Sequence, residues 1–535
     1  MDSRFGVGLV GLGLLVGTLQ VQAQAVETPK TPNSNTPAAG APKGQTTPPV
    51  LESGQTTIAV DGKLTEEQKR DILSSEEDIF HFVSKDTGLA IHKPVKVAFV
   101  PRDAVAKELR TKFDEDKGNK RMERSELVLK KFGMLDRDFK LRPFLLSLLT
   151  EQIAGYYDNK NKQMTLLDWV PIDQQKPVMA HELTHALQDQ RMNLRKWQDP
   201  EPEGVAKNVK EDNEHIATDE AGTAREAVLE GQAMVTFADY YLDTHGYRGK
   251  TLRDVPQMGD MLANGAGDSS DSPVLGRAPL VLQQALLFPY REGLVFEAKV
   301  LASGGTEKAF AGVLDAPPSA SAQILHPDVY LANAPMPVLR LPDVHPELTK
   351  AGWLPYDVGV MGELDVRMTT ELFGGRPLAE ALAPNWAGGI YLAAQKKDAS
   401  EADKGTTKSI GLMYLSRWKN ADSAASFFQV FEQQMSRQYN GLQRRQADEK
   451  DENERVFSTR EGDVLLVHTG NSVWVSEGFD LALARQLREQ AEAANPTGSG
   501  PMMQATTLPV EGHGLIEGLS NWLGEFGVMK AALVK

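Results

Sequence analysis

The chain has 535 residues, more than one ordinary domain holds, so its length predicts two folded units with appendages. Its formal net charge is -15 and no long basic cluster overrides that average, which argues against a nucleic-acid partner. The chain has no cysteine, so it forms no disulfide, and any metal must be held by imidazole and carboxylate groups.

Residues 1–25 have the pattern of a secretory signal peptide, with Arg4 before an apolar run that ends in small residues. The run is shorter than a typical membrane span and no second span is visible in the sequence, so we expect no stable membrane span after signal cleavage. The prediction is an exported protein, either periplasmic or secreted. Residues 26–56 are rich in Pro and Thr and poor in large apolar side chains, which predicts a disordered linker.

Residues 57–348 mix helical and strand patterns and predict one domain, mainly helical with a small sheet. A strand is predicted at residues 95–100, and a hairpin around the polar turn of residues 158–162. A peptide can add a strand to a sheet edge beside a metal, so the hairpin is a candidate substrate edge. An ordinary structural hairpin is the alternative.

The helix predicted around residues 178–190 carries the pattern His-Glu-x-x-His. His181 and His185 are four residues apart and project from one helix face about 5–6 Å apart, while Glu182 is turned enough to reach a water at the metal. Apolar residues fill the opposite face, and Lys176-Pro177 predicts where the helix begins. The spacing predicts two zinc ligands and one general base; a chance match on a solvated helix is the alternative.

A catalytic zinc needs a third protein ligand and an open position for water. The metzincin continuation is excluded, because Gln188 and Arg191 stand where that pattern requires Gly and His. A second predicted helix, over about residues 218–241, places Glu230 within an apolar stripe and Glu226 nearer the edge of that stripe. A buried carboxylate is costly without a cation, which is either zinc or a buried arginine or lysine.

Five segments carry a resemblance that is strongest over about residues 65–345: His181-Glu-Leu-Thr-His-Ala-Leu-Gln-Asp-Gln190, Leu229-Glu-Gly-Gln-Ala233, Ala154-Gly-Tyr-Tyr-Asp158, Phe288-Pro-Tyr-Arg-Glu-Gly293 and Ile324-Leu-His-Pro327. Together they resemble the gluzincin type of zinc metallopeptidase, in particular a group of exported bacterial proteins. The resemblance implies that His181, His185 and Glu230 are the zinc ligands and that Glu182 is the base.

Two further residues are candidate donors toward the negative charge that develops during hydrolysis, namely Tyr290 and His326. For Tyr290 the ordinary alternative is a packed ring with a hydrogen-bonded hydroxyl, and for His326 it is a His-Pro turn.

Residues 349–495 predict a smaller α+β domain, because short strands with intervening turns accompany two helices. Residues 496–535 begin Gly- and Pro-rich and predict a loosely ordered tail with a possible helix at residues 515–533. The predicted fold class is therefore α+β, with a mainly helical zincin-like metallopeptidase domain and a small sheet, followed by a domain with an antiparallel sheet.

The predicted function is that of an exported zinc metallopeptidase, with Zn²⁺ as cofactor, a peptide or protein as substrate, and Glu182 as general base. Two alternatives stay open. One is a catalytically inactive binding or scaffold protein of the cell envelope with the same fold, and the other is a zinc hydrolase of a non-peptide amide bond. The sequence indicates neither the cleavage specificity nor the oligomeric state.

Overall fold

The structure is a computed structural model that describes residues 63–115, 118–197, 208–265, 272–497, 503–507 and 529–530. The signal-peptide and linker predictions lie outside these residues. Within the described part of the chain, no helix combines the length and apolarity needed to cross a membrane. The described residues belong to one compact unit.

The α-helices of the described residues are, in chain order, α1 (Glu66–Ser74), α2 (Glu76–Thr87), α3 (Arg102–Glu115), α4 (Gly118–Lys131), α5 (Leu141–Gln152), α6 (Ile172–Met192), α7 (Leu194–Trp197), α8 (Val209–Thr218), α9 (Ala221–Thr244), α10 (Pro256–Gly265), α11 (Pro273–Gly276), α12 (Leu280–Glu307), α13 (Val313–Asp315), α14 (Ser321–Leu325), α15 (Pro327–Leu331), α16 (His345–Lys350), α17 (Glu363–Gly374), α18 (Arg376–Leu382), α19 (Glu401–Lys404), α20 (Ala421–Gln438) and α21 (Leu481–Ala494). A π-helical turn, Lys308–Gly312, joins α12 to α13.

The strands are β1 (Lys96–Val100), β2 (Ile153–Asp158), β3 (Gln163–Leu167), β4 (Pro337–Val338), β5 (Trp353–Val360), β6 (Trp386–Lys396), β7 (Ile410–Trp418), β8 (Gln443–Arg444), β9 (Glu454–Thr459), β10 (Gly462–Thr469), β11 (Ser472–Glu477), β12 (Met503–Gln504) and β13 (Met529–Lys530). The smaller main sheet has the order β1-β3-β2-β13; β1 and β3 are parallel, and β2 is antiparallel to both of its neighbours. The larger sheet is antiparallel throughout, in the order β5-β6-β7-β11-β10-β9-β8, and β12 pairs with β4.

The α+β class is therefore confirmed, as is an antiparallel sheet in the C-terminal half. The strand predicted at residues 95–100 is β1, the predicted hairpin is β2 with β3, and the helix predicted over residues 218–241 is α9. Of the possible tail helix at residues 515–533, only β13 lies within the described residues, and it is a strand.

The predicted start of the histidine helix was wrong, because α6 begins at Ile172 and Pro177 lies inside it. The added first turn is held by Gln175, whose Nε2 donates to the carbonyls of Leu167 at 2.7 Å and Val170 at 3.0 Å. These contacts join the start of α6 to the end of β3. The helix therefore starts one turn earlier than Pro177 suggested, where Gln175 bonds to residues before the helix.

The predicted boundary between residues 348 and 349 lies within α16. Described residues from both sides of it belong to one hydrophobic core. Phe132, which follows α4, packs edge-on against Tyr391 and Tyr414 of the larger sheet, with ring centroids 5.6 and 5.7 Å apart. The division into two domains stays a prediction, and the two parts share packed side chains.

Helix α9 packs against both α6 and α12. It meets α12 where Gly231 and Gly293 lie against each other: a methyl group added to Gly231 would lie 2.3 Å from the Gly293 carbonyl oxygen, and one added to Gly293 would lie 2.1 Å from that of Ala227. Both glycines are needed because the two backbones touch. This contact fixes α12, and with it Tyr290, next to the histidine helix.

Candidate metal centre

Three buried side chains from two helices converge on one point. His181 and His185 extend from α6, and Glu230 extends from the facing helix α9. Their Nε2 atoms lie 3.2 Å apart, and Glu230 Oε2 lies 3.1 Å from His181 Nε2 and 3.6 Å from His185 Nε2. The side chains of His181, His185 and Glu230 expose 0%, 5% and 1% of their surface.

The spacing of these atoms fits one tetrahedral ion. Zinc binds imidazole nitrogen and carboxylate oxygen at about 2.0–2.2 Å, so two ligand atoms at the tetrahedral angle lie about 3.4 Å apart. The observed separations of 3.1, 3.2 and 3.6 Å surround that value. His181, His185 and Glu230 are also the group of metal-binding side chains that stands out among the described residues, with ligand atoms within 4.8 Å of one another. The donor set of two imidazoles and one carboxylate suits Zn²⁺.

The charges within the triad favour a cation. Burial would lower the pKa of His185, but the Glu230 and Glu182 carboxylates outweigh it and raise that pKa to about 9. For His181 burial is the stronger effect, and its pKa is lowered. Burial would raise the pKa of Glu230, yet the two imidazoles outweigh it and lower that pKa to about 2. Glu230 is therefore ionised at neutral pH.

A glutamine holds one of the two histidines. Nδ1 of His185 lies 2.8 Å from Oε1 of Gln188, one turn further along α6. The Nε2 of Gln188 donates to the carbonyl of Leu229 at 3.1 Å and to Oε1 of Gln232 at 3.0 Å, both on α9. Leu229 and Gln232, which lie close to Glu230 on α9, thus hold the glutamine that contacts His185. The stretch of α9 that carries one candidate ligand therefore also positions another on α6.

The hydrogen bonds of Gln232 determine which group donates and which accepts in each of these contacts. Its Nε2 donates to the carbonyls of Ala309 at 2.8 Å and Phe310 at 3.1 Å, and carbonyls only accept. Its Oε1 therefore accepts from Gln188, whose own Oε1 is left to accept from His185 Nδ1. In its neutral form His185 then carries its proton on Nδ1 and keeps the Nε2 lone pair for a metal.

No protein-family model, no curated protein and no solved structure matches the chain. The assignment of a metal site therefore rests on the positions and chemistry of the site's own residues.

Glu182 is completely buried, and its carboxylate acts on both His185 and Tyr290. Strand β2 passes directly beside it, since a methyl group added to Gly155 would lie 2.9 Å from Cγ1 of Val178 and 3.6 Å from Cγ of Glu182. The absence of a side chain at Gly155 lets the strand reach α6. The hairpin predicted as a substrate edge thus lies beside the predicted base, although β13 pairs with β2 and β1 pairs with β3.

Tyr290 is buried in the same site. Its ring stacks on that of His181, with centroids 6.2 Å apart and planes 13° apart. Burial, the carboxylates of Glu230, Glu226 and Glu182, and a hydrogen bond to Glu230 raise its pKa well above the ordinary value. The hydroxyl of Tyr290 is therefore a neutral hydrogen-bond donor at neutral pH. Glu226, one turn before Glu230, is buried close enough to influence it.

His326 has other neighbours. Its Nε2 lies 2.7 Å from Oε1 of Glu363, and 38% of its side chain is exposed. The hydrogen bond to Glu363 raises its pKa, and the further charges that act on it are those of Lys419 and Arg367. The metal-binding group does not include it. The catalytic role of His326 stays a prediction.

Two residues that follow the histidine motif bond α6 to the β2–β3 hairpin and to the segment before β1. Asp189 accepts from the hydroxyl of Tyr157 on β2 at 2.9 Å and from Nζ of Lys162 in the hairpin turn at 2.6 Å. Gln190 accepts from the backbone N–H groups of His92 and Lys93 at 2.7 and 2.9 Å. These roles were not predicted from the sequence. The signal for them is the run of polar residues 188–191 after the motif.

Proposed function

We propose that this protein is an exported, zinc-dependent metallopeptidase of the zincin type that hydrolyses bonds in peptides or proteins. The observation that supports it is the convergence of His181, His185 and Glu230 at the spacing of three zinc ligands, next to the buried carboxylate of Glu182. Export rests on the signal-peptide pattern of residues 1–25.

In this proposal His181, His185 and Glu230 hold Zn²⁺. Zinc, when bound, supplies a Lewis acid that polarises a carbonyl oxygen and lowers the pKa of water. Glu182 takes a proton from the attacking water and passes it to the leaving amine. The carboxylate suits that task because it is fixed on the same helix as the two histidines and is shielded from bulk water.

Tyr290 is proposed to donate a hydrogen bond to the negative charge that develops on the carbonyl oxygen of the scissile bond. It suits that role because it is neutral, buried and in contact with the triad. Removing one such donor typically lowers kcat by about 10²–10³-fold.

Metal analysis combined with an activity measurement tests the proposal. The purified chain should contain one zinc per molecule and should cleave an unfolded, fluorescently labelled protein. A chelator should abolish the cleavage, and added zinc should restore it. The Glu77→Gln variant, whose side chain is 87% exposed, should behave as wild type. Stoichiometric zinc without cleavage would favour the inactive scaffold, and a chain that binds no zinc would contradict the metal site.

A further inference from the structure

The small sheet has a short strand from the far end of the chain at its edge. On one side β2 pairs with β3, and on the other it pairs antiparallel with β13. Met529 lies opposite Gly155 and Lys530 opposite Ile153, with an irregular register between them. The backbone of β13 also lies against α6. We call the side of β2 that β13 occupies the β2 edge.

The β2 edge lies next to the helix that carries the two histidines, because Gly155 both pairs with Met529 and contacts α6 at Glu182. An extended peptide paired with this edge receives main-chain hydrogen bonds whatever its sequence. Under the proposed function, such a peptide passes the catalytic base in the orientation of a substrate. The three ligand side chains expose at most 5% of their surface, so a substrate must displace something to reach them.

A second described part of the tail is anchored to the end of α8 and the start of α9. Strand β12 pairs with β4, and the N–H groups that follow it, of Ala505 and Thr506, donate to the carbonyls of Met336 at 2.8 Å and Ala217 at 2.7 Å. The guanidinium of Arg225 then donates to the carbonyl of Thr507.

Arg225 lies on α9, five residues before Glu230. It also donates to the carbonyl of Trp197 at 2.7 Å and lies over the Trp197 ring. The described parts of the tail therefore touch the helix that carries the carboxylate ligand and the strand beside the base. Contacts at both places restrict where the chain end can go and raise its local concentration at the β2 edge.

We propose that β13 is an intramolecular occupant of the substrate edge, so that the full-length protein is held in a low-activity form. This inference rests on the proposed function, because it takes the β2 edge as the place where substrate binds. A segment tethered in this way has an effective concentration in the millimolar range. If the untethered segment binds the edge with a dissociation constant of about 100 µM, its tethered form lowers the apparent affinity of any competing free peptide by about tenfold.

Two full-length variants separate backbone pairing from side-chain effects. The double substitution Met529→Pro with Lys530→Pro removes both N–H groups that β13 can donate, whereas Met529→Ala with Lys530→Ala keeps them. Each is made together with Glu182→Gln, so that a bound peptide is not cleaved. The probe is a fluorescein-labelled peptide with the sequence of residues 525–535, and its binding is measured by fluorescence anisotropy. We expect about tenfold tighter binding to the proline variant than to the alanine variant.

Equal affinity for the two variants, or no binding to either, would overturn the proposal. Weakening of peptide binding as the protein concentration rises would show that β13 pairs with a second copy, which would overturn the intramolecular form. A chain that ends at residue 527 serves as a second variant and should bind like the proline variant.

Hydrolysis of the labelled unfolded protein is measured separately, with Glu182 intact. It should be about tenfold faster for the proline variant than for the alanine variant. If neither variant hydrolyses the substrate but the proline variant still binds the peptide more tightly, the proposed function is wrong. The claim that β13 occupies the β2 edge is then still supported. If both hydrolyse it equally and bind the peptide equally, the function stands and the occupant fails.

Discussion

Nδ1 of His185 and Oε1 of Gln188 lie 2.8 Å apart across one turn of α6. Two backbone carbonyls fix the orientation of Gln232, and Gln232 in turn fixes that of Gln188. The contact with Gln188 therefore determines which nitrogen of His185 faces Glu230. The bond between two neighbouring turns of one helix is thus set by residues more than 40 positions away.

Gln188→Leu should therefore weaken zinc binding by about 10–100-fold, the usual effect of losing a residue that orients a ligand. Gln188→Glu keeps an acceptor for His185 and should bind zinc more tightly than Gln188→Leu. Competition with a chelator measures both. Gln175→Leu is the matched control, because Gln175 is a buried glutamine on the same helix whose hydrogen bonds go to Leu167 and Val170. Equal zinc affinity in Gln188→Leu and Gln175→Leu would contradict this role.

Glu230 and Glu226 differ in their neighbours, although they lie one turn apart on α9. Zinc at a hundred times its dissociation constant stabilises the folded state by about 2.7 kcal/mol if the unfolded chain does not bind it. That stabilisation should vanish in Glu230→Ala and only shrink in Glu226→Ala, because only Glu230 lies in the triad. Thermal unfolding with and without zinc measures both. The reverse order would move the ligand to Glu226.

The touching backbones of α9 and α12 predict a large effect of a small substitution. Gly293→Ala places a methyl group 2.1 Å from the Ala227 carbonyl oxygen, so the helices must separate. We expect a loss of at least about 1–3 kcal/mol in the free energy of unfolding, measured with urea. Gly259→Ala in α10 is the control: its methyl group would have Leu252 Cδ2 nearest, at 3.9 Å, and alanine is the better helix former. Equal stability of the two variants would show that the backbones can move apart at no cost.

A pair of aspartates between α2 and α9 predicts how stability depends on pH. Burial raises the pKa of Asp86 to about 7, and burial together with the charge of Asp86 raises that of Asp239 to about 8. Both values lie above the 3.8 of an ordinary aspartate, so the folded state binds these protons more tightly than the unfolded state does. The stability that the pair contributes is complete below about pH 4 and is lost as the pH rises through about 7 to 8.

Urea unfolding between pH 5 and 8.5, with a chelator present, measures this loss. The double variant Asp86→Asn with Asp239→Asn should show a flatter profile than wild type over that range, because asparagine stays neutral. Asp328→Asn, with an 81% exposed side chain in the native protein, should keep the wild-type slope. An unchanged slope in the double variant would show that folding does not raise the pKa of these aspartates.

The local parts of the fold were predictable, because period and composition report on them. The hairpin of β2 and β3, the helix α9 and some strands of the larger sheet follow from alternation or helical spacing. The start of α6 was not predictable in this way, because the hydrogen bonds of Gln175 hold an extra turn before Pro177. Helix α8 was also missed: it lies in a polar segment, and its His215 is bonded to the Val358 carbonyl at 2.8 Å.

At the site, spacing alone put His181 and His185 on one helix face with Glu182 turned toward the same water, and the central position of Glu230 in an apolar stripe favoured it over Glu226. The sequence could not show that Gln188 and Gln232 meet, since they are 44 residues apart and share no local pattern. The same holds for the contact of Gly231 with Gly293 and for the pairing of β13 with β2. Each depends on where separate elements pack, which local periodicity does not encode.

The central claim is that Glu182 is a base and not a ligand, and one variant tests it directly. Glu182→Gln should bind zinc with the stoichiometry and affinity of wild type, since His181, His185 and Glu230 are intact. Its kcat/KM for an unfolded protein substrate should fall by about 10²–10⁴-fold, the usual effect of removing a positioned base. Full zinc binding with that loss of activity is the predicted result; zinc-loaded Glu182→Gln that hydrolyses the substrate at near the wild-type rate would contradict the account.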